Sequence, residues 1–188
     1  MDQIANTTVS SPIGIYDFSV NIDNVNNNRN LTNLNLINSK YNPKLPKEMS
    51  VLECRLILLK LKTNQLFKRI SFNCSFKGNT INKVGSNSGE GLECFEWETN
   101  NCIVSVGTED LGYLLRRYPN ETYFKNGNDP VSFYNNTISL SLEEIPSNSE
   151  ISLHYLIAWN TLPEKISPST WFSVDIDHKI LLKAIGTI

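Results

Sequence analysis

The sequence predicts a mainly β protein, a β-sandwich or a partly closed antiparallel β-barrel, on three observations. Several stretches alternate apolar and polar residues with period two, paired asparagines fall where tight hairpin turns belong, and a helical stripe stands out only once. At 188 residues the chain can bury the core of one such domain. Ten of its 25 asparagines fall between Asn21 and Asn42, a compositional bias that names no function.

Tyr16, Phe18, Val20 and Ile22 alternate with Asp17, Ser19 and Asn21, which predicts a half-buried strand over about 15–22. From Asp23 to about Lys47 the text is polar, Asn-rich and broken by Pro43 and Pro46, so it reads as a linker. Residues 1–47 are therefore expected to form an extended N-terminal arm with one strand, and 48–188 a single sandwich domain. Val51 to Leu61 is apolar on both parities, as in a central strand buried on both faces, with a short helix as the alternative. Ile70, Phe72, Cys74 and Phe76 alternate cleanly with polar residues and lead to a turn at Gly78-Asn79.

Asparagine tolerates the positive φ of type I′ turns, so Asn100-Asn101 predicts a hairpin that sets Thr99 opposite Cys102, Trp97 opposite Val104 and Phe95 opposite Val106. The same register sets Cys94 opposite Gly107, which separates it from Cys102. Asn135-Asn136 likewise pairs Phe133 with Ile138 and Val131 with Leu140. A loop over Glu143 to Glu150 then leads into a long strand through Ile151, Leu153, Tyr155, Ile157 and Trp159. Thr170 to Ile176 reads as a further strand, and Lys179 to Ile188 as an edge strand or docked tail.

The one predicted helix covers about 108–118. Thr108 is its expected cap, Glu109 and Asp110 lie in its first turn, Arg116 and Arg117 in its last, and Pro119 follows. Leu111, Leu114, Leu115 and Tyr118 form its apolar stripe.

Composition excludes more than it assigns. Lys+Arg 17 against Asp+Glu 19 gives a net charge of -2, so no overall positive field holds nucleic acid or an anionic membrane. No apolar run approaches the length of a membrane span, and the first 25 residues lack a basic region followed by an apolar one, so a cytoplasmic or otherwise intracellular protein without a signal peptide is expected. Five N-x-S/T sites arise from composition alone in so Asn-rich a chain. Cys54, Cys74, Cys94 and Cys102 show no zinc or redox spacing and are expected as reduced, mostly buried thiols.

The two histidines, His154 and His178, limit any triad or metal site. His154 falls on the polar parity of its strand, is expected at or near the surface, and with Asp175 is the candidate for general-base chemistry. Asp175 and Asp177 would share a strand face able to hold a hard cation, although solvated strand-end carboxylates explain them as well. The glycines from Gly85 to Gly91 lack the order and the lysine of a phosphate loop and read as a mobile hairpin loop. Glu96 and Glu98, neighbours on one strand, cannot by themselves bracket a sugar. Arg116, Arg117, Tyr118, Tyr123, Phe124 and Lys125 mix cations and aromatics as single-strand binders do, but dipole and stripe account for most of them. Among the aromatics, Trp171 is the candidate for exposure.

No catalytic constellation survives, so the preferred reading is a non-enzymatic sandwich that acts through its surface, its N-terminal arm adding to a protein partner or a second copy. No cofactor, nucleic acid or membrane is expected. The alternatives are a cofactor-free enzyme or carrier of lyase or isomerase type, with an apolar pocket lined by Tyr155, Trp159, Phe172 and Trp171, and a carbohydrate-binding module with Trp171 flat on its surface.

Overall fold

The structure is a computed structural model that describes residues 1–24, 31–78, 83–88, 92–119, 121–124, 129–163 and 169–186. It is mainly β, with 60% of the chain in strands. The strands are β1 (Asp2–Ser11), β2 (Gly14–Asn24), β3 (Leu31–Lys40), β4 (Glu53–Thr63), β5 (Phe67–Lys77), β6 (Lys83–Ser88), β7 (Leu92–Glu98), β8 (Cys102–Glu109), β9 (Val131–Tyr134), β10 (Thr137–Ile145) and β11 (Glu150–Thr161). The helices are α1 (Leu111–Arg117), α2 (Ser169–Val174) and α3 (His178–Ala184). Sheet A runs β1-β2-β5-β10-β9 and sheet B runs β3-β4-β11-β8-β7-β6. Both are antiparallel, and they face each other without closing into a barrel.

Period-two patterning decides sheet A. Phe18, Val20, Phe72, Ile70, Leu140 and Leu142 are buried on its inner face. The outer face carries a hydroxyl and amide ladder, in which Ser71 meets Ser141 at 2.8 Å, Ser75 meets Thr137 at 2.9 Å, and Ser139 donates to Asn73 at 2.6 Å. From sheet B, Ile57, Leu59, Trp97, Val104, Leu153, Tyr155 and Ile157 fill the same core. The Tyr155 hydroxyl, buried in this core, donates to the carbonyl of Phe72 across the sandwich, at 2.9 Å. Leu114, Tyr118, Tyr123 and Phe124 add the region around α1 to this core.

Sheet B is buried on both faces, which is why β4 is apolar on both parities and β11 carries Leu156 and Ala158 on its otherwise polar one. Cys54, Leu56, Leu58, Leu156 and Ala158 point away from the sandwich and are covered by Val174 and Leu181 of α2 and α3. Close approach there requires Gly107. A Cβ at this position would lie 3.0 Å from Cβ and Cγ2 of Val174 and 2.9 Å from Cδ1 of Leu92.

Both asparagine hairpins have the predicted register, including Trp97 opposite Val104, Cys94 opposite Gly107, and Phe133 opposite Ile138. Their closures differ. Asn135 and Asn136 adopt φ of 48° and 60°, whereas at Asn100-Asn101 the Thr99 hydroxyl oxygen accepts from the backbone N–H groups of Asn101 and Cys102. Asn79 of the Gly78-Asn79 turn and residues 89–91 of the glycine-rich stretch lie outside the described residues, while Gly85 to Ser88 belong to β6.

Three expectations require correction. Residues 1–47 hold β1 and β3 as well as β2, and β1 and β2 pair in sheet A while β3 pairs with β4 in sheet B, so this stretch is integral to the sandwich. An edge strand needs few apolar contacts because its neighbour supplies the hydrogen bonds; Leu34 and Leu36 suffice on the inner side of β3. Thr170 to Ile176 is not a strand. Ser169, Thr170, Ser173 and Val174 are the buried residues of α2, a helical spacing that the alternation of Thr170, Phe172 and Val174 disguised. Of the stretch from Lys179, expected as an edge strand or a docked tail, the residues to Ala184 dock as α3. The predicted helix at 108–118 is shorter: Asp110 caps it by accepting from the N–H of Tyr113 at 2.8 Å, and Thr108 and Glu109 remain in β8. Among the described residues no helix is long and apolar enough to cross a membrane.

Candidate functional site

The outer face of sheet B is apolar at one end and charged at the other. At the charged end β8 delivers Glu109, β11 delivers Ser152 and His154, α1 delivers Arg117 and the adjoining Tyr118, and α3 delivers His178 as its first residue. Strand parity puts Glu109 and His154 on this face, and Asp177 starts α3 above them by accepting from the N–H of Lys179 at 2.6 Å.

Arg117 organises the cluster. Its Nε donates to Oε1 of Glu109 at 2.9 Å, its Nη2 donates to Oε2, and Nη2 also reaches the carbonyl of Ser152 at 2.8 Å. Its guanidinium lies over the Tyr118 ring, 4.9 Å from the centroid. The Tyr118 hydroxyl donates to the Ser152 carbonyl at 2.9 Å and accepts from the Ser152 N–H at 2.7 Å. Tyr118 thus ties the end of α1 to β11.

The two histidines meet beside this pair. Their Nδ1 atoms are 2.8 Å apart, so one imidazole donates to the other. His178 Nε2 lies 3.0 Å from the Ser152 hydroxyl. Glu109 Oε2 is 3.8 Å from Nδ1 of His154 and 3.9 Å from Nδ1 of His178. His154 Nε2 is buried with no hydrogen-bond partner among the described residues. Burial, His178 and Arg117 hold His154 well below the usual histidine range, and burial, Arg117 and Lys60 hold His178 down at about 3. Both rings are neutral at pH 7. Burial raises the Glu109 carboxyl, against the opposing pull of Arg117.

A groove of about 980 Å³ opens beside the cluster, with His178 and Ser152 in its wall. Lys60, Lys62, Arg116, Arg117 and Lys179 line it against the single carboxylate of Glu150, which Lys62 contacts at 3.2 Å. Asn33, Leu34 and Asn35 of the edge strand β3 form one border. The near-neutral net charge conceals this local excess of cations.

The sequence-derived candidates are scattered. His154 is fully buried instead of superficial, because α3 covers the polar parity of β11. Asp175 and Asp177 sit on the bend between α2 and α3, where Asp177 caps α3, and they have no strand face to share. Tyr155 and Trp159 belong to the inter-sheet core, while Trp171 packs with the cluster on the opposite face of sheet B. Sheet B therefore runs between the residues of the expected Tyr155, Trp159, Phe172 and Trp171 pocket. Trp171 is half-buried and meets the Phe172 ring edge-on. The four cysteines are free and buried; Cys54 is pushed up to about 12 by burial and Glu53, and Cys74 and Cys94 stand well above their ordinary value, so His154 has no thiolate partner. Glu96 accepts from the Ser105 hydroxyl at 3.0 Å.

Sequence reasoning missed Glu109, Arg117, Ser152 and His178 as one group. The available signal was the scarcity of histidine, since two such residues in 188 leave a single pair to test. Comparisons of the chain with protein-family models, with curated proteins and with solved structures find no match.

Proposed function

We propose that the protein is a non-catalytic binding protein that takes an acidic, extended segment of a partner protein into the groove of sheet B. The observation that carries this reading is the excess of cations in the groove: Arg117 is paired with Glu109 and Lys62 with Glu150, which leaves Lys60, Arg116 and Lys179 without a carboxylate partner among the described residues. Cations gathered along a concave, low-dielectric wall focus the potential and attract an acidic chain even though the whole molecule is slightly negative. The border supplied by β3 adds a second element. An edge strand offers unpaired main-chain groups that an extended segment can use, which converts charge attraction into register. In this reading residues 1–47 still serve interaction, through the edge strand they contribute to the sandwich instead of through a free arm.

The test is fluorescence anisotropy with a labelled twelve-residue peptide of alternating Glu and Val, against its Gln counterpart, over a range of salt concentrations. The acidic peptide is expected to bind, to weaken steeply as salt rises, and to lose at least tenfold in affinity in the Lys60→Glu, Lys179→Glu double variant. Equal binding of both peptides, or none at low salt, rejects the reading.

A further inference from the structure

We propose that Glu109, His154 and His178 form a zinc(II) site on the outer face of sheet B, with its open coordination position toward the groove. The three donor atoms are His154 Nδ1, His178 Nδ1 and Glu109 Oε2, separated by 2.8, 3.8 and 3.9 Å. The point equidistant from three atoms at those separations lies in their plane about 2.1 Å from each, within the range of zinc–imidazole and zinc–carboxylate bonds, and tetrahedral coordination needs the two Nδ1 atoms to part by roughly 0.5 Å. Two imidazoles and one carboxylate are a donor set that zinc accepts with its fourth position left to water or ligand. No other group of three such side chains within ligating distance of one another occurs among the described residues.

The surroundings fit. All three donors are buried, so a bound ion would be shielded from bulk solvent. Ser152 Oγ, 3.0 Å from His178 Nε2, holds the outer nitrogen of that ring, the arrangement that fixes the tautomer of a ligating histidine. Arg117 holds both oxygens of Glu109, Oε1 through Nε and Oε2 through Nη2, and so orients the carboxylate, whose Oε2 has a second lone pair for an ion on the side of the rings. His178 and Ser152 also line the groove, which gives the ion and a water molecule an entry path. Without metal, the two Nδ1 atoms share one proton between them. On binding, that proton leaves Nδ1 and is carried by Nε2 of the same ring, so both rings remain neutral and both present a lone pair.

Zinc binding does not depend on the acidic-segment reading, and its test uses no peptide. The full chain, stripped with a chelator, is titrated with zinc by calorimetry and its thermal midpoint is followed. One equivalent per chain and a rise of several degrees are expected, and both are lost in His178→Ala. Should that variant fail to fold, cobalt(II) added to the wild-type chain decides: four-coordinate visible bands without a thiolate charge-transfer band support the site. A spectrum that stays that of the hydrated ion, a thiolate band, or a folded His178→Ala that still takes one zinc overturns it.

Discussion

The two sheets share a core and differ in what lies behind them. Sheet A turns a ladder of Ser, Thr and Asn side chains to its outer side, and each of the pairs Ser71–Ser141 and Ser75–Thr137 satisfies its own polar groups locally. Sheet B turns Leu56, Leu58 and Leu156 outward and depends on α2 and α3 to cover them. The same cover that dries the leucines also removes Glu109, His154 and His178 from water, so their hydrogen bonds come from within the cluster, from each other, Ser152 and Arg117. A sheet with a solvated back tolerates change there; a sheet with a covered back concentrates both its vulnerability and its chemistry there.

The strongest way to break this contrast is to end the chain at Thr161. Three leucines of sheet B would lose their cover at about 1.5–3 kcal/mol each, and the truncated chain is expected to lose cooperative unfolding and to aggregate, as read by circular dichroism and light scattering. Next in size is Arg117→Met, which strands a buried carboxylate and should cost about 3–5 kcal/mol in urea unfolding. The double change Glu109→Leu, Arg117→Met is expected to recover most of that loss, which separates the cost of an unpaired charge from the worth of the pair.

Acid sharpens the comparison. In the unfolded chain each histidine takes a proton near its ordinary value of 6.5, while His178 in the folded chain does so only at about 3 and His154 is also held low. Their contribution to stability is therefore complete above pH 6.5 and is lost as the pH falls toward 3. Glu109, whose folded value is raised, acts with the opposite sign, regaining stability as it protonates. The sum expected from two histidines against one carboxyl is a falling unfolding midpoint between pH 6.5 and 4, on the order of a few kcal/mol. A flat profile would show that the cluster is open to solvent.

Smaller effects follow from packing and surface. Gly107→Ala pushes a methyl group into Val174 and Leu92 and should cost about 1–3 kcal/mol. Arg69→Gln removes a solvent-exposed pair with Glu143 on sheet A and should change stability by no more than about 0.5 kcal/mol. A large loss there would refute the tolerance assigned to that face.

Much of the fold was legible. The alternation of Ile70, Phe72, Cys74 and Phe76 and the asparagine turns encode both strand and register, because a hairpin's pairing follows from a turn only two residues long. The double-sided run from Val51 to Leu61 announced that something covers sheet B. It could not say what, and the covering residues were read as strand because Thr170, Phe172 and Val174 satisfy period two as well as a helical face. The strand β3 was illegible for the opposite reason: its asparagines carry no apolar signal, and its pairing partner is supplied by β4, across a gap in sequence.

The site was least legible of all. His154 sits on the parity that its own strand marks as polar, and only the arrival of α3 turns that position into a buried one. Glu109 and Arg117 looked like ordinary charges at the two ends of a helix, yet they form a buried pair because β8 continues to Glu109 and α1 starts after it. What this sequence determined by itself was a mainly β fold, sandwich or partly closed barrel, and the local pairing of its hairpins, since those rest on contacts between residues near in the chain and on a period that any neighbour can read. Which face of sheet B would be covered, and that its two histidines would meet a carboxylate under that cover, was decided only by tertiary structure, because burial is a property of what packs on top.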